Sequence, residues 1–245
     1  MASRGWPAHP AIDPAKIVDL TYRLDSAAIG WPGDTPFSHR FDHYGITPQG
    51  YFYASGSFAT AEHAGTHMDA PIHFSAGGLT ADQVPITIGP LAVIDFSARA
   101  AADPAATLSA EDVEHWESAH GAIPPAAIVL ARSGWGRFWP EPQRYLGCAS
   151  GDGSRLRFPG FSLAAVDLLL ERRTVAAIAI DTASIDPGDS VDFAVHRRWL
   201  GAGRPAFENI ANAGKLPATS AIIFCIPMKL GGASGTPARI FAVLP

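Results

Sequence analysis

The chain has 245 residues, a net charge of −5 at pH 7 and 47% hydrophobic residues. This length and composition are typical of one globular domain, large enough to bury roughly 70–75% of its unfolded surface. The acidic balance, without any run of lysine or arginine, argues against nucleic acid and against anionic membranes as partners. Cys148 and Cys225 form no CxxC motif, which argues against a disulfide framework and against a thiolate zinc site.

Residues 1–15 are rich in proline and alanine, and we expect them to form an irregular arm ahead of one domain that spans residues 16–245. The first ten residues hold no apolar segment of the kind found in secretory signals. No apolar run approaches the ~20 residues that a membrane-spanning helix needs. With only two cysteines, the chain fits the reducing cytoplasm.

Strand patterns dominate the first half of the chain. Ser109 is the expected N-cap of a helix that carries acids in its first turn and ends near Glu117. Proline and glycine at residues 31–37 indicate a turn with an aromatic residue at each end, and residues 75–82 indicate a loop. Apolar, aromatic and β-branched runs predict strands at residues 17–21, 51–62, 91–96 and 126–131.

Helices and strands alternate in the second half, as in α/β proteins. Ser162 is the expected N-cap of an amphipathic helix, and residues 191–200 predict a further helix, which carries His196. Residues 175–180 are all apolar and predict a short, central, parallel strand. The loop after this strand lies where ligand sites of α/β proteins tend to form. Closing strands are expected at residues 220–228 and 238–244.

One short stretch concentrates metal-ligating residue types. It holds three of the nine histidines and one carboxylate within eleven residues: His63-Ala-Gly-Thr-His67-Met-Asp69-Ala-Pro71-Ile-His73. Imidazole and carboxylate are common ligands of divalent ions such as Zn²⁺ and Mn²⁺. The alternative is an ordinary polar loop, but four ligand-type residues at spacings of 4, 2 and 4 favour a metal site.

A helix is not the expected conformation of this stretch. A zincin helix needs Glu directly after its first His, and Ala64 occupies that position. Gly65 lies between the first two histidines, and Pro71 follows. We therefore expect a strand that enters a tight turn at Gly65, followed by a short extended piece with His67 and Asp69 on one side.

The metal-dependent cyclase/hydrolase family, which includes bacterial kynurenine formamidase and isatin hydrolase, has a signature that this stretch resembles: His63-x-Gly65-Thr66-His67-x-Asp69-x-Pro71-x-His73. The resemblance extends over roughly residues 17–244. It implies a single α/β domain of the swivelling β/β/α type, in which a mixed, barrel-like sheet is flanked by helices. It also implies a homodimer or homotetramer, often with exchanged N-terminal arms.

The same resemblance implies a second group of ligands. In the formamidases of this family, a later His and a Glu, twelve residues apart, complete a second metal centre, and His196 and Glu208 have this spacing here. Without the resemblance, His196 beside two arginines would be interpreted as a surface residue. The resemblance thus implies two divalent ions per chain, Zn²⁺ or Mn²⁺, bridged by Asp69: one on His63, His67 and Asp69, and one on Asp69, His196 and Glu208.

Two further residues receive roles from the resemblance. His73 is the implied proton-transfer residue, and the ordinary pKa of histidine, about 6.5, suits that role. Trp31 corresponds to a Trp that lines the substrate pocket of the formamidases. The aromatic residues at 135–139 form either a pocket lid or core packing, and in the first case Trp135 or Phe138 would sandwich a flat substrate with Trp31.

Together these residues predict a metal-dependent hydrolase that cleaves a C–N amide bond in a small aromatic molecule. A divalent ion lowers the pKa of bound water toward about 7, so that hydroxide forms at neutral pH, and His73 passes the proton to the leaving nitrogen. The substrate is either an arylformamide of the N-formylkynurenine type or a cyclic amide such as isatin, since residues 135–152 resemble an insertion of other family branches. Lactone or imide hydrolysis, cyclisation, and a non-catalytic metal-stabilised binding protein are the alternatives.

Overall fold

The computed structural model of the protein describes residues 12–148 and 155–245. The helices in these residues are α1 (Ser97–Ala102), α2 (Ala110–His120), α3 (Pro142–Tyr145), α4 (Leu163–Arg172) and α5 (Ala194–Gly201). The strands are β1 (Ile17–Asp19), β2 (Ser38–Ile46), β3 (Phe52–Ala59), β4 (His67–Asp69), β5 (Thr87–Asp95), β6 (Thr107–Leu108), β7 (Ile128–Arg132), β8 (Gly160–Phe161), β9 (Ala177–Ile180), β10 (Ala206–Glu208), β11 (Ala221–Pro227) and β12 (Gly235–Val243).

Seven of these strands close into a barrel. Their order is β12, β11, β5, β7, β9, β10, β4 and back to β12, and β1 pairs with the far end of β12. The run from β5 to β10 is parallel, whereas β11, β12 and β4 pair antiparallel with their neighbours. The closing pairs join Gly235 of β12 to Asp69 of β4, and Thr236 to Met68. Closure therefore brings the histidine-rich stretch next to the end of the chain.

Alternate residues of the parallel strands belong to two different cores. On β7, Ile128 and Leu130 belong to the core inside the barrel, whereas Val129 and Ala131 pack against α2, α4 and α5. Such a strand is buried on both faces, which explains its continuous apolar sequence. The central parallel strand predicted at residues 175–180 is confirmed as β9, which lies between β7 and β10.

The two helix starts predicted from N-cap serines are confirmed. Ser109 forms a capping box with Asp112 at the start of α2, which ends three residues later than expected, at His120. The hydroxyl of Ser162 accepts the backbone N–H of Ala165 at the start of α4. The helix predicted over residues 191–200 begins only at Ala194.

Several predicted boundaries differ from the structure. The strand predicted at residues 51–62 ends at Ala59, since the chain turns before the histidine-rich stretch. The last strand begins at Gly235, three residues before the predicted 238–244, because its first residues pair with β4. Helices α1 and α3 and strands β2, β6, β8 and β10 were not predicted. Strand β10 has only three residues, too few to show a period.

Strand β2 forms a hairpin with β3, and in the described residues these two strands pair only with each other. Most of their side chains are exposed, including Phe41, Tyr44, Phe52 and Phe58. No face of β2 is buried against the barrel, so its sequence lacks the alternation by which a half-buried strand is recognised. This explains why the sequence did not predict it.

The predicted arm over residues 1–15 lies largely outside the described residues, and its role stays a prediction. Within the described part, Asp13 caps a short 3-10 turn, Pro14–Lys16, ahead of β1. None of the helices in residues 12–148 and 155–245 is long and apolar enough to cross a membrane.

Replacing Ser109 with Ala removes the hydroxyl that accepts the backbone N–H of Asp112. We expect the free energy of unfolding to fall by about 1 kcal/mol. The matched control is Ser118→Ala on an exposed position of the same helix, which should leave stability unchanged or slightly higher because Ala is the better helix former. Chemical denaturation followed by circular dichroism measures both changes, and equal losses would contradict the capping role.

Candidate metal centre and substrate cavity

Three of the predicted ligands lie on one face of two paired strands. β4 runs antiparallel to β10, with His67 opposite Glu208. Met68 belongs to the barrel core, so His67 and Asp69 on either side of it point to the opposite face. The same alternation separates Phe207, in the barrel core, from Glu208. The strand pairing therefore gathers two carboxylates and one imidazole outside the barrel core.

His63 reaches this face from the turn before β4. Gly65 has φ +65°, in the left-handed region that glycine adopts without steric cost, which allows the predicted tight turn. The imidazole of His63 lies against Gly235, where an added Cβ would come within 2.3 Å of ring atom Cε1. Any side chain at residue 235 would therefore displace the ring.

His196 arrives from the other side, on α5. The carboxylate of Asp186 accepts hydrogen bonds from the backbone N–H of Val195 at 3.0 Å and of His196 at 2.9 Å. It also accepts Nδ1–H of His196 at 2.7 Å. Asp186 thus satisfies N–H groups in the first turn of α5, which have no partner within the helix, and orients the imidazole. Nε2 of His196 is left facing the two strands.

The five predicted ligands converge on one buried point. Nε2 of His67 lies 3.2 Å from Asp69 Oδ1 and 3.4 Å from Glu208 Oε2. Nε2 of His196 lies 3.3 Å from Asp69 Oδ2 and from Glu208 Oε1. Nδ1 of His63 lies 2.7 Å from Asp69 Oδ1. Two sets of three residues each have ligand atoms within 4.8 Å of one another: His63, His67 and Asp69, and Asp69, His196 and Glu208.

Two polar atoms at this point suit a divalent cation. Nε2 of His67 and Oδ2 of Asp69 are buried and make no hydrogen bond in the described structure. Nδ1–H of His67 is donated to the carbonyl oxygen of Gly65 at 2.9 Å, so in the neutral ring the lone pair on Nε2 faces the carboxylates. Buried polar atoms without partners cost free energy, and a cation satisfies a nitrogen lone pair and carboxylate oxygens together. The donor set therefore fits a bound metal ion.

The electrostatics of the cluster agree with this fit. Burial alone would lower the pKa of His67, but the carboxylates of Asp69 and Glu208 outweigh it and raise that pKa to about 10. The pKa of His196 is likewise raised well above its ordinary value, against the effect of burial, by Asp186, Asp69 and Glu208. Burial would raise the pKa of Asp69, yet the three imidazoles hold it well below its usual range. The cluster attracts positive charge strongly.

His73 lies beside the cluster, in the 3-10 turn Pro71–His73. Its ring stacks on His63 with centroids 4.1 Å apart, and its centroid lies 5.9 Å from that of His196. Burial is the main cause that lowers the pKa of His73 to about 4, below the ordinary value of 6.5 on which the sequence-based expectation rested, so the imidazole is neutral at neutral pH. It lines the cavity above the cluster, where a bound molecule would reach its nitrogens.

This cavity has a volume of about 260 Å³, and the cluster lies at its base. Its walls include three aromatic side chains, Trp31, Phe74 and Phe193. Trp31 packs edge-on against Phe158, with ring centroids 6.5 Å apart, and its centroid lies 6.1 Å from that of Phe193. No lysine or arginine lines the cavity among the residues that the structure describes. The site therefore combines an ionic base with a flat, apolar wall.

Trp135 and Phe138 do not line this cavity. They are only 5% and 9% exposed and pack with Tyr145 and Phe158 in a third core. Of the two interpretations of this loop, core packing is therefore correct for both rings, and a sandwich of substrate between Trp31 and either of them is wrong. The same core includes Ile29 and Ala183, which do line the cavity. Residues 149–152 of the predicted insertion lie outside the described residues.

Three polar residues support the cluster without having been assigned from the sequence. Asp186 stands in the loop after β9, the place where α/β ligand sites were expected. Oγ of Ser234 lies 3.1 Å from Nε2 of His63. The side-chain amide of Asn209 donates to the carbonyl of Gly65 at 2.8 Å. No spacing rule marks Ser234 or Asn209, because only the barrel closure and the β10 pairing bring them near the cluster.

Comparison with known proteins identifies the family. A family model described as putative cyclase matches residues 18–187. The chain belongs to the putative cyclase family. Its relatives include the isatin hydrolase of Roseibium aggregatum, 30% identical over 217 residues, which are 84% of this chain and 80% of the relative. Another is the kynurenine formamidase of Paracidovorax citrulli, 30% identical over 231 residues, which are 92% of this chain and 95% of the relative.

Solved structures of the putative cyclase family share the fold described above. Isatin hydrolase A from Labrenzia aggregata, bound to benzyl benzoate, has a TM-score of 0.84 at 30% identity and covers 93% of either chain. Isatin hydrolase A from Ralstonia solanacearum has a TM-score of 0.84 at 28% identity, over 98% of this chain and 100% of the other. The predicted resemblance and the predicted α/β fold, with a mixed barrel-like sheet and flanking helices, are thus confirmed.

In this cyclase-family protein we expect Asp186→Asn to weaken Zn²⁺ affinity by about 10- to 100-fold, because outer partners of metal-binding histidines contribute this much. Asp167→Asn is the matched control. Asp167 lies on α4 and accepts a hydrogen bond at 2.6 Å from Nε of Arg198, which is on α5 like His196. Asp167 does not line the cavity. Competition with a chromophoric chelator measures both affinities. Unchanged affinity in Asp186→Asn would contradict its role in orienting His196.

Proposed function

We propose that this protein is a metal-dependent hydrolase that cleaves the C–N amide bond of a small, flat aromatic substrate. The observation that carries the proposal is the convergence of five ligand-type side chains at the base of an aromatic cavity, with the imidazole of His73 beside them. Relatives named isatin hydrolase and kynurenine formamidase support the reaction class, since both names denote hydrolysis of an amide.

The proposed centre would hold two divalent ions, Zn²⁺ or Mn²⁺, and Asp69 would be the ligand that both share. His63 and His67 complete one ligand set, and His196 and Glu208 complete the other. When bound, a divalent ion makes a water molecule acidic near neutral pH and polarises the carbonyl of the substrate. The carboxylates of Asp69 and Glu208 offset much of the charge of two close dications.

His73 is the proposed proton-transfer residue. Its neutral imidazole lines the cavity beside His63 and hydrogen-bonds through its ring to none of the described residues. It is therefore placed to accept a proton from the attacking water and to return it to the leaving nitrogen. Trp31, with Phe74 and Phe193, would bind the flat face of the substrate and exclude water from it.

The cavity favours a neutral cyclic amide over an amino-acid formamide. An N-formylkynurenine-type substrate carries an ammonium group and a carboxylate. Asp34 lines the cavity and could pair with the ammonium group, but no lysine or arginine in the described residues lines the cavity to pair with the carboxylate. Isatin is flat and uncharged and needs no such partner. The two isatin hydrolase structures with TM-scores of 0.84 support the same ranking. We therefore rank cyclic amides of the isatin type first and arylformamides second.

A homodimer or homotetramer is the proposed assembly, and the cytoplasm is the proposed location. The hairpin of β2 and β3 leaves Tyr44 67%, Phe52 56% and Phe58 55% exposed. A two-stranded hairpin is marginally stable alone, so cover by a second copy of the chain would stabilise it. The location rests on the low cysteine content of the sequence.

Protein reconstituted with Zn²⁺ or Mn²⁺ should hydrolyse isatin, and at a higher kcat/KM than N-formylkynurenine. Chelation should abolish both activities and added metal should restore them, because the ions supply the acidic water. Absorbance assays of isatin ring opening and of N-formylkynurenine deformylation measure the two activities. In the same assays, Trp31→Ala should raise KM for isatin. Turnover that survives chelation would contradict the metal mechanism, and a preference for N-formylkynurenine would reverse the ranking. Bound metal without turnover of either substrate would favour the binding-protein alternative.

His73→Ala should keep the metal content and lose kcat by about 10²- to 10⁴-fold, because it removes proton transfer alone. Asp69→Ala should lose both ions, because it removes the shared ligand. Elemental analysis of the purified variants, together with kcat for isatin, separates these effects. Loss of metal in His73→Ala would make His73 a ligand, and two retained ions in Asp69→Ala would refute the bridge.

A further inference from the structure

The three histidines of the cluster are held in two different ways. His67 donates Nδ1–H to the carbonyl of Gly65, and His196 donates Nδ1–H to Asp186, so both turn Nε2 to the cluster. His63 does the reverse. Its Nδ1 faces Asp69 at 2.7 Å, and its Nε2 faces Oγ of Ser234 at 3.1 Å. Without a cation, the carboxylate of Asp69 would accept a hydrogen from Nδ1, since a carboxylate only accepts. With a cation on Nδ1, this nitrogen must offer its lone pair, and the group that holds Nε2 then decides whether that form of His63 is favoured.

A serine hydroxyl can donate to an imidazole nitrogen or accept from it, and Glu62 selects between these roles. Oε2 of Glu62 accepts the hydroxyl of Ser234 at 2.6 Å, the backbone N–H of Ser234 at 2.8 Å and that of Gly235 at 3.3 Å. A carboxylate only accepts, so the single hydroxyl hydrogen of Ser234 points to Glu62. Ser234 then offers His63 a lone pair alone, and Nε2 of His63 carries the hydrogen.

We propose that Ser234 and Glu62 are positioning residues that fix the Nε2–H tautomer of His63 and so present its Nδ1 as the metal-binding atom. This inference rests on the metal centre of the proposed function. It gives a role to the glycine-rich connection between β11 and β12, which ends at Ser234, directly before β12. Glu62 directly precedes His63, and closure of β12 against β4 brings Ser234 to both residues.

Loss of the acceptor would leave His63 without a fixed tautomer. In the form with hydrogen on Nδ1, the ring would direct an N–H at the cluster and would bind no cation. Part of the binding free energy would then go into selecting the other form. Partners of this kind typically contribute 10- to 100-fold to metal affinity, and the variants below are expected to show effects in that range.

Zinc affinity, measured by competition with a chromophoric chelator, is the first test. Ser234→Ala should weaken it by about 10- to 100-fold, and Ser234→Thr, which keeps the hydroxyl, should restore most of it. Asp82→Ala is the matched control. Asp82 accepts the backbone N–H of Gly232 at 3.0 Å and so anchors the same connection without contact to His63. Thermal unfolding of each variant confirms that it is folded.

The second test reads the ligating nitrogen directly. In ¹⁵N-correlated NMR spectra of the zinc-loaded wild type, His63 should show metal-bound Nδ1 and protonated Nε2, whereas His67 and His196 should show the opposite pattern. Zinc bound through Nε2 of His63 would overturn the proposal without any variant. Equal losses of affinity in Ser234→Ala and Asp82→Ala would also overturn it, because anchoring of the connection would then suffice. A wild type that binds no zinc would overturn the metal centre itself, and this proposal with it.

Discussion

The carboxylate of Asp69 is the group on which the site depends. It is 1% exposed and lies within 3.3 Å of nitrogens from three imidazoles, on His63, His67 and His196. An uncompensated buried carboxylate would cost several kcal/mol, so the surrounding rings and any cation they hold are part of the reason this charge can be buried. Asp69 lies between β10 and β12 at the seam of the barrel. Asp69 therefore takes part both in closing the barrel and in the charge balance of the buried cluster.

The sequence predicted most of the longer elements that have a buried face. Residues 175–180 read as a central parallel strand because both faces of β9 are covered, and Ser109 and Ser162 marked helix starts because capping is local. Strand β2 has no buried face, so its sequence does not show the alternation of apolar and polar residues that predicts a strand. The predicted start of α5 was too early because Phe193 adopts a left-handed conformation, with φ +49°. Phenylalanine rarely adopts this conformation, so the sequence did not predict it.

The two halves of the candidate site were predictable to different degrees. The group from His63 to His73 could be found from residue types and spacing, because its members lie on one turn and one short strand. His196 and Glu208 could be suggested only by resemblance, since it is the register of β10 on β4, and not any spacing, that sets Glu208 opposite His67. Ser234 was missed for the same reason: its neighbour Gly235 meets Asp69 only through barrel closure.

The side chains that line the cavity come from two kinds of segment, regular elements and irregular connections. The ligand-type side chains come chiefly from strands and one helix, whereas Trp31 and Phe193 come from connecting segments. The third core, which includes Tyr145 and Phe158, supports this wall, since Phe158 packs edge-on against Trp31. Changes in the wall can therefore alter which molecule fits while the ionic base stays the same. The different substrate names of relatives that align over most of this chain agree with such a division.

The position of β4 at the barrel seam also bears on how the protein is made. Its two neighbours, β10 and β12, are synthesised long after it, so on the ribosome the nascent stretch from His63 to Asp69 has neither partner strand. Contacts between such distant segments form late, because loop closure must come first. Until Glu208 has emerged and β12 has been added, the early histidines and Asp69 lack the neighbours that complete the cluster, so the candidate site forms only in the finished fold.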